Sequence, residues 1–341
     1  MFKISLLKYL ILYKKYGGKM KIYKLFALMF AALLIAVPAS AKYKFSVLTQ
    51  VDTSNTFWQG IKRGMDDACD TLQVDCQLVF NQENGNLQMQ LTNLEALVEQ
   101  GIDGISLVIV EDNMFDEAVQ NAIDAGIPVI TTNVDDSEGA EGNARLAFVG
   151  QDLFQAGYEL GKELSKSFPD GDTHVLLGLS APGQSWAEAR IGGVRKFMEE
   201  YKAANPNKKV TWDTIDSGLD TSVTGQRICA YVQGHPETTA YFDAGFWGAG
   251  AGNCLRDLGY KPNELLMGMF DLVDIVMDEM DEGYVHLTID QQPYLQGYLP
   301  ILQMYLMKEF GLSAWDVNTG KAFVYPSDVA DVRKYIEMGV R

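Results

Sequence analysis

The sequence predicts an α/β fold made of two doubly wound, mostly parallel sheets. Apolar strand-like runs alternate with amphipathic helical patterns along nearly all of the chain after residue 42. Runs such as 105–110 lack the alternation of a half-exposed strand, which is typical of parallel strands buried on both faces. Repeated βα units imply right-handed crossovers. About ten strands are many for one open sheet, so the length favours two sheets of five or six strands.

Each element follows from the spacing of its apolar residues. We predict strands at 44–50, 77–81, 104–110, 127–132, 146–149, 173–179, 209–215, 239–243, 265–270 and 285–290. Helices are predicted near 56–72, 87–100, 113–125, 153–168, 186–204, 221–234, 247–259, 271–282 and 293–310.

Two adjacent aromatic residues, Phe57 and Trp58, stand where the first helix begins. The apolar stripe of that helix is Ile61, Met65, Ala68 and Leu72, and Trp58 can join it. Phe57 is rotated by about 100° from Trp58 around the helix axis, so one stripe does not serve both. At this point the pair either closes a core or lines a site.

The N-terminal residues have the pattern of an export signal. Lys21 and Lys24 precede the apolar run 25–37, which closes with Ala39-Ser40-Ala41. This is the order of a cleavable signal peptide. We therefore expect a periplasmic protein cleaved after Ala41, with 1–19 an upstream extension if Met20 is the true start. A long signal or an anchor is the alternative.

The acidic balance excludes some partners. The formal charge is −17, and removing residues 1–41, with seven lysines and no acidic residue, takes it to about −24. Nucleic acid and anionic membranes would be repelled by such a surface.

The cysteines predict disulfides, because export favours oxidation. Cys69 lies near the end of the first helix and Cys76 near the start of the next strand, and Cys229 and Cys254 lie on helical patterns that flank one strand. Buried free thiols are the alternative. The three histidines are scattered, and none lies near a cysteine at the spacing of a metal site, so no zinc site is expected.

Polar and aromatic side chains follow most of the predicted strands. In doubly wound sheets ligands bind at the carboxyl ends of strands. The residues at these ends include Asn55, Phe57, Trp58, Asn133, Trp186, Arg190, Phe246, Asp271 and Gln291. Hydrogen-bonding groups between flat apolar faces suit a polyhydroxylated ligand.

No motif of catalysis or cofactor binding is found. The chain lacks a P-loop, a nucleophile elbow and a zincin motif. The glycine-rich stretch 245–252 lacks the dinucleotide register, and Asp135-Asp136 are adjacent carboxylates that favour a solvated turn over a glycosidase pair. We therefore expect neither an enzyme nor a cofactor. A sugar-modifying enzyme is the rival from another class.

Six short motifs resemble those of the type I periplasmic binding proteins of ABC transporters, in the ribose and autoinducer-2 branch. They are the segments 55–64, 101–104, 126–130, 150–152, 190–193 and 290–293, reading NTFWQGIKRG, GIDG, GIPVI, GQD, RIGG and DQQP. The resemblance extends from Lys42 to about Tyr325.

The resemblance implies an architecture and a set of ligand contacts. It implies two lobes joined by three crossings, with 42–150 plus 292–324 as the N-terminal lobe, 151–291 as the C-terminal lobe and 325–341 as a C-terminal segment. The crossings are expected near 150–152, Gln291 and Tyr325. Asn55, Phe57 and Trp58 would contact the ligand from the first lobe, and Arg190, Asp271 and Gln291 would hydrogen-bond to it.

The same resemblance implies a function. The chain would capture a neutral sugar or polyol, close at the hinge and deliver it as a monomer to an ABC permease in the inner membrane. Asn133-Val134 stands where ribose binders carry Asp-Arg, so ribose is not expected. The alternatives are an autoinducer-like or chemotaxis receptor and the sensing part of a repressor. The export signal and the acidic charge stand against the repressor.

Overall fold

The computed structural model describes residues 42–53, 55 and 57–341, and the predicted signal peptide lies outside them. Strands and helices alternate as predicted. The first half contains β1 Lys44–Leu48, α1 Trp58–Leu72, β2 Asp75–Val79, α2 Leu87–Glu99, β3 Gly104–Leu107, α3 Asp116–Asp124, β4 Val129–Asn133 and β5 Ala147–Gly150.

The second half begins with α4 Leu153–Leu164, β6 Thr173–Leu179, α5 Ser185–Ala204, β7 Val210–Asp216, α6 Thr221–Gly234 and β8 Thr238–Asp243. It continues with α7 Gly252–Asp257, β9 Leu266–Phe270, α8 Asp274–Asp281 and β10 Leu287–Asp290. The chain then forms α9 Pro293–Phe310, β11 Val317–Asn318, β12 Ala322–Val324 and α10 Val329–Glu337.

The strands form two sheets of the same design. Within the described residues, the first sheet has the order β11-β5-β4-β3-β1-β2 and the second the order β12-β10-β9-β8-β6-β7. Every pair is parallel except β10 with β12. We call each sheet with the helices packed on it a lobe. The predicted pair of doubly wound parallel sheets is confirmed.

The chain passes between the sheets at three places. It leaves the first sheet after Gly150, returns to it after Asp290, and passes from β11 to β12 between Asn318 and Ala322. The third crossing was expected near Tyr325, and it lies a few residues earlier. By Ala322 the chain has reached the second sheet, because β12 pairs with β10. The strands β11 and β12 and the helix α10 were not predicted.

Glutamine side chains join the three crossings to one another. Gln292 Nε2 donates to the Thr319 carbonyl at 2.6 Å, and Thr319 Oγ1 donates to the Gln291 carbonyl at 2.7 Å. Gln151 Nε2 lies 3.5 Å from the Gly320 carbonyl. We call these three crossings the hinge. Their hydrogen bonds make the hinge one connected unit, to which both lobes are joined.

Glycines let one helix pair approach closely in each lobe. A Cβ on Gly64 of α1 would collide with the Tyr294 carbonyl of α9, and a Cβ on Gly193 of α5 would collide with the Phe154 carbonyl of α4. These glycines belong to the NTFWQGIKRG and RIGG motifs. The motifs therefore set the distance between α9 or α4, which begin next to a crossing, and the helix packed on each of them.

Disulfides and apolar cores stabilise both lobes. Cys69–Cys76 and Cys229–Cys254 are bridged, as predicted. In α1 the stripe of Trp58, Ile61, Met65 and Ala68 is buried. In the part of the chain that is described, no helix has the length and apolar character to cross a membrane.

Candidate functional site

Equivalent residues of the two lobes face the hinge. Asn133 is the last residue of β4, and Asp271 follows β9, which has the corresponding place in the second sheet. Both have left-handed backbone, with φ of 67° and 74°. Asn and Asp adopt this conformation more readily than other residues with a side chain. Each strand end thus turns its polar side chain toward the chain crossings.

Gln291 connects these two residues. Asn133 Nδ2 donates to Gln291 Oε1 at 3.1 Å, and Gln291 Nε2 donates to Asp271 Oδ1 at 2.5 Å. Gln296 supports the same point, since its Nε2 donates to the Gln291 carbonyl at 2.8 Å and its Oε1 accepts from Asn133 at 3.1 Å. A continuous hydrogen-bond chain therefore runs from the first lobe through the hinge to the second.

Arg190 is the buried cation of the site. Only 4% of it is exposed, and its Nε and Nη2 donate to Gln151 Oε1 at 3.0 and 2.6 Å. Nη1 donates to the Ala244 carbonyl at 2.9 Å, and the guanidinium lies 4.0 Å from the centre of the Phe270 ring. The guanidinium is thus fixed between the first crossing and the strand ends of the second lobe.

Burial and the neighbouring carboxylates shift the pKa of Arg190 in opposite directions. Burial lowers the pKa of Arg190 to about 10, while Asp271 and Asp243 oppose the shift. The guanidinium therefore stays charged at neutral pH. Burial raises the pKa of Asp271, and Arg190 and the Gln291 amide act against that rise. Arg190 therefore lies among buried carboxylates of opposite charge, Asp271 and Asp243.

Asp243 has a supporting role in the same loop. It is fully buried and accepts from Ser180 Oγ at 2.6 Å, Tyr241 OH at 2.9 Å and the backbone N–H groups of Gly245 and Gly248 at 2.8 and 2.6 Å. These bonds fix the turn after β8. That turn carries Phe246 and presents the Ala244 carbonyl to Arg190.

Aromatic side chains from the second lobe border the site. Trp186, in the first turn of α5, packs against the cores of both lobes, and its ring centre lies 6.0 Å from the Arg190 guanidinium. Trp247 stacks on Phe246 at 4.5 Å and lies 6.0 Å from Trp186. Ser185 Oγ donates across the cleft to the Val110 carbonyl at 3.3 Å. The lobes therefore touch at the start of α5.

The aromatic pair of the first lobe is divided between two roles. Trp58 is 2% exposed and belongs to the core of that lobe. Phe57 is half-buried and meets Trp58 edge to face, with ring centres 6.0 Å apart. Asn55 Oδ1 accepts from the Phe57 N–H at 3.1 Å, so its side chain helps to begin α1.

A cavity of about 270 Å³ lies between the lobes beside Asp271. The first lobe contributes Phe57 and Arg63, the second contributes 271–274, and Ile336 and Arg341 of the C-terminal segment close one side. Its volume is close to the lower end of the ~300–1,000 Å³ of small-molecule sites.

Comparison with known proteins identifies the family. The model of the periplasmic binding protein domain matches residues 46–311, which is most of the chain. The chain belongs to the periplasmic binding protein domain family. A xylose/arabinose-binding protein of Sulfolobus acidocaldarius is 30% identical over 308 residues, covering 86% of this chain and 73% of that protein.

Two more known proteins are similar to this chain over most of their length. The D-allose-binding periplasmic protein of Escherichia coli is 24% identical over 283 residues, covering 80% of this chain and 87% of that protein. The structure of a carbohydrate transporter from Acidothermus cellulolyticus in complex with myo-inositol has a TM-score of 0.72 and 26% identity, covering 88% and 99% of the two chains. A periplasmic binding protein acts outside the cytoplasm and binds its solute without converting it.

The binding-protein fold brings most of the predicted residues together. Asn133, Arg190, Asp271 and Gln291 are joined through hydrogen bonds and charge. Trp186 lies beside Arg190, and Phe246 is connected to Trp186 through Trp247. Phe57 and Asp271 line the cavity, whereas Arg190 lies outside its wall. Trp58 lies in the core instead, and Asn55 in the turn before α1. Their ligand contacts, like those of the whole set, remain predictions.

Sequence reasoning did not assign two residues that this site uses. They are Gln151, which holds Arg190, and Gln296, which supports Gln291. Gln151 was within reach, because it is the central residue of the GQD motif. Gln296 lies inside the apolar pattern of α9, where a polar residue gives no sign of its partner.

The carboxylates weighed as a glycosidase pair have structural partners. Asp135 accepts from Arg145 Nε at 3.0 Å and from Thr131 Oγ1 at 2.6 Å. Asp136 accepts from the Glu138 N–H at 2.8 Å and from Asn143 at 3.2 Å. Both acids therefore hold the turn between β4 and β5.

Proposed function

We propose that this protein is the substrate-binding component of an ABC importer and that it captures a neutral sugar or polyol between its lobes. The observation that carries the proposal is the buried Arg190 guanidinium, which faces Asp271 at the point where both lobes meet the hinge. The relatives named for xylose or arabinose and for allose, and the related structure with myo-inositol, support the ligand class.

Arg190 and Asp271 offer complementary groups to hydroxyls. Among the described residues, three of the five N–H donors of Arg190 are used by Gln151 and Ala244, which leaves two for a ligand. Asp271 uses Oδ1 for Gln291, so Oδ2 is available to accept from a hydroxyl. Since the buried guanidinium already has buried carboxylates as partners, a neutral ligand with several hydroxyls fits better than an ion.

Trp186 and Phe57 add apolar faces to this polar set. A sugar ring has flat C–H faces that pack on aromatic rings while its hydroxyls point outward. Trp186 lies within 6.0 Å of the Arg190 guanidinium, and Phe57 lines the cavity beside Asp271. Each ring therefore stands beside one member of the charged pair, as recognition of a polyhydroxylated ring requires.

Val134 supports the expectation that ribose is not preferred. It is 5% exposed and packs in the core of the first lobe. A position that carries an arginine in ribose binders thus has no polar group to offer here. The side-chain amide of Asn133 in turn donates hydrogen bonds to Gln291 and Gln296.

Closure at the hinge links capture to delivery. Ligand contacts from both lobes would favour the closed arrangement, which an inner-membrane permease would recognise. We further propose that the mature protein acts as a periplasmic monomer after cleavage behind Ala41.

A ligand screen tests the proposal. Thermal shifts with neutral sugars and polyols, including ribose, xylose, arabinose, allose and myo-inositol, would be followed by calorimetry and product analysis. We expect saturable one-to-one binding of a neutral ligand, weaker binding of ribose and no product. Turnover of the ligand, preference for a charged analogue, or ribose as the tightest ligand would contradict the proposal.

A further inference from the structure

A cluster of potential metal ligands lies at the far edge of the second lobe. His174, His235 and Glu237 each present one ligand atom, and these atoms lie within 4.8 Å of one another. Two of the three histidines of the chain therefore meet in the fold, although they are far apart in the sequence. The expectation of no metal site assumed that the histidines stay scattered.

The cluster is separate from the ligand cleft. His174 is the second residue of β6, while His235 and Glu237 flank Pro236 in the loop between α6 and β8. These positions lie at the amino end of the strands, whereas Arg190 and Asp271 lie near the carboxyl ends. Since β6 has seven residues, the two ends are about 20 Å apart.

The ring of His174 is held in place on both sides. Nδ1 lies 2.8 Å from Thr211 Oγ1, and Nε2 lies 2.7 Å from the Tyr231 hydroxyl, which donates to Asp213 Oδ2 at 2.5 Å. The single O–H of Tyr231 donates its hydrogen bond to Asp213. The Tyr231 hydroxyl oxygen therefore accepts a hydrogen bond from His174 Nε2–H. Asp213 Oδ2 itself lies 4.0 Å from His174 Nε2, which brings a second carboxylate to the cluster.

The other two side chains can adjust. The side chain of His174 is 12% exposed, whereas those of His235 and Glu237 are 44% and 60% exposed. Tyr231 stacks on the His235 ring at 4.3 Å, which keeps that imidazole beside His174. The cluster thus combines one fixed ligand with two that can rotate toward it.

We propose that this cluster binds a divalent transition metal of the zinc type through His174 Nε2, His235 and Glu237. Two imidazoles and one carboxylate form a ligand set that zinc uses, with the fourth position taken by water or Asp213. Donor atoms around tetrahedral zinc are roughly 3–3.5 Å apart, so the exposed ligands move inward by about 1 Å.

The protons balance on binding. His174 changes tautomer: Nε2 releases its proton to water and binds the metal, while Nδ1 takes up a proton from water. The new Nδ1–H group then donates a hydrogen bond to the Thr211 hydroxyl. Tyr231 keeps its bond to Asp213 and moves away from His174. Thr211 then fixes the orientation of the ligating ring, which is the usual role of a second partner of a metal-bound histidine.

Such a metal would connect β6 to the loop before β8. Neither segment belongs to the hinge, so the metal stabilises the second lobe without changing the ligand site. The effect on stability and the effect on sugar binding are therefore separable.

Metal titration of the chelator-treated protein tests this inference. Calorimetry with Zn²⁺, and visible absorption with Co²⁺ to report ligand geometry, would be applied to the wild type and to His235→Asn, Glu237→Gln and His286→Asn. His286, the third histidine, lies outside the cluster and is the matched control. We expect one metal ion per chain, a higher melting temperature with zinc, and affinity at least ~10-fold weaker in the first two variants only.

Because His235 and Glu237 are exposed, their variants are expected to fold and to keep the sugar affinity of the wild type. Absence of stoichiometric binding, or binding by His235→Asn that equals the wild type, would overturn the inference. Equal loss in His286→Asn would do the same, since it would show metal binding outside this cluster.

Discussion

Asn133 and Asp271 hydrogen-bond to the same side-chain amide from opposite lobes. Asn133 Nδ2 donates a hydrogen bond to Gln291 Oε1, and Gln291 Nε2 donates one to Asp271 Oδ1. Both residues end equivalent strands and share the left-handed backbone that turns them toward the hinge. The near-twofold design of the fold thus places one amide in hydrogen-bond contact with both lobes.

We expect Arg190→Ala to weaken ligand binding by about 10- to 100-fold, because a hydrogen bond from a charged group contributes about 1.5–3 kcal/mol. The loss also leaves Asp271 without its cation, so the variant should be less stable by about 3–5 kcal/mol. Calorimetry and urea unfolding measure the two effects.

Two further variants separate charge from geometry at Arg190. Arg190→Lys keeps the charge but loses the fork that Gln151 holds, so it should fold and still bind more weakly. Lys196→Ala removes an exposed charge from the same helix and should bind as the wild type does. Wild-type affinity in Arg190→Lys would contradict this account.

The neighbours Phe57 and Trp58 should differ in what they support. Trp58→Ala removes a core side chain and should lower the free energy of unfolding by about 3–5 kcal/mol. Phe57→Ala removes a half-buried ring beside the cavity and should weaken binding by about tenfold or more, with a smaller loss of stability. Calorimetry and urea unfolding on both variants decide this, and the opposite pattern would place Trp58 in the ligand site.

Ligand affinity should fall at acidic pH, starting above the ordinary aspartate pKa of about 3.9. Burial raises the pKa of Asp271, so its carboxylate takes up a proton earlier as the pH falls, and the acceptor for ligand hydroxyls is lost. A raised pKa means that the folded state binds this proton more tightly than the unfolded state, so protonation of Asp271 does not unfold the protein. Calorimetry across the acidic range measures the fall.

Asp271→Asn is the control for this pH dependence. It should bind more weakly at neutral pH and show a flatter profile at acidic pH. Asp243 and Asp290 have pKa values that burial also raises, and they remain in the variant. A profile in Asp271→Asn as steep as in the wild type would assign the effect to one of them.

His286 should make the protein less stable as the pH falls. Burial lowers its pKa to about 4 in the folded state, against about 6.5 in the unfolded chain. The unfolded state therefore binds the proton first, and up to about 3 kcal/mol of stability is lost between those two pH values. Asparagine at this position keeps an acceptor for the Met267 N–H, so His286→Asn should lose less stability between pH 7 and pH 4 in urea unfolding. An equal loss of stability in the wild type and in His286→Asn would show that His286 is not the group responsible.

The sequence predicted the long elements better than the short ones. A strand such as β6, with seven residues, and a helix such as α9 show their period clearly. In contrast, β11 has two residues and β12 three, which is too short for any period to appear. Their pairing depends on other strands, β5 for β11 and β10 for β12, and it decides where the third crossing lies.

The candidate site shows the same division. Arg190 could be proposed from its place one turn inside a helix after a strand, but its bond to Gln151 depends on the close approach of α4 and α5. Phe57 and Trp58 could not be separated by the sequence, because both stand at the start of one helix. Only the packing of α1 on its sheet assigns one to the core and the other to the cavity wall.

The sequence by itself predicted the fold class and the two disulfide pairs, which the structure confirms, and it predicted the strand ends at which we expect a ligand to bind. The fold class follows from local periodicity, the disulfides from an export signal and the positions of the cysteines, and the strand ends from the rule that parallel strands expose their carboxyl ends at one edge. The tertiary structure alone decided that Gln291 joins Asn133 to Asp271 and that His174 meets His235. Contacts between residues distant in the chain arise from how helices and sheets pack, and no local pattern contains that information.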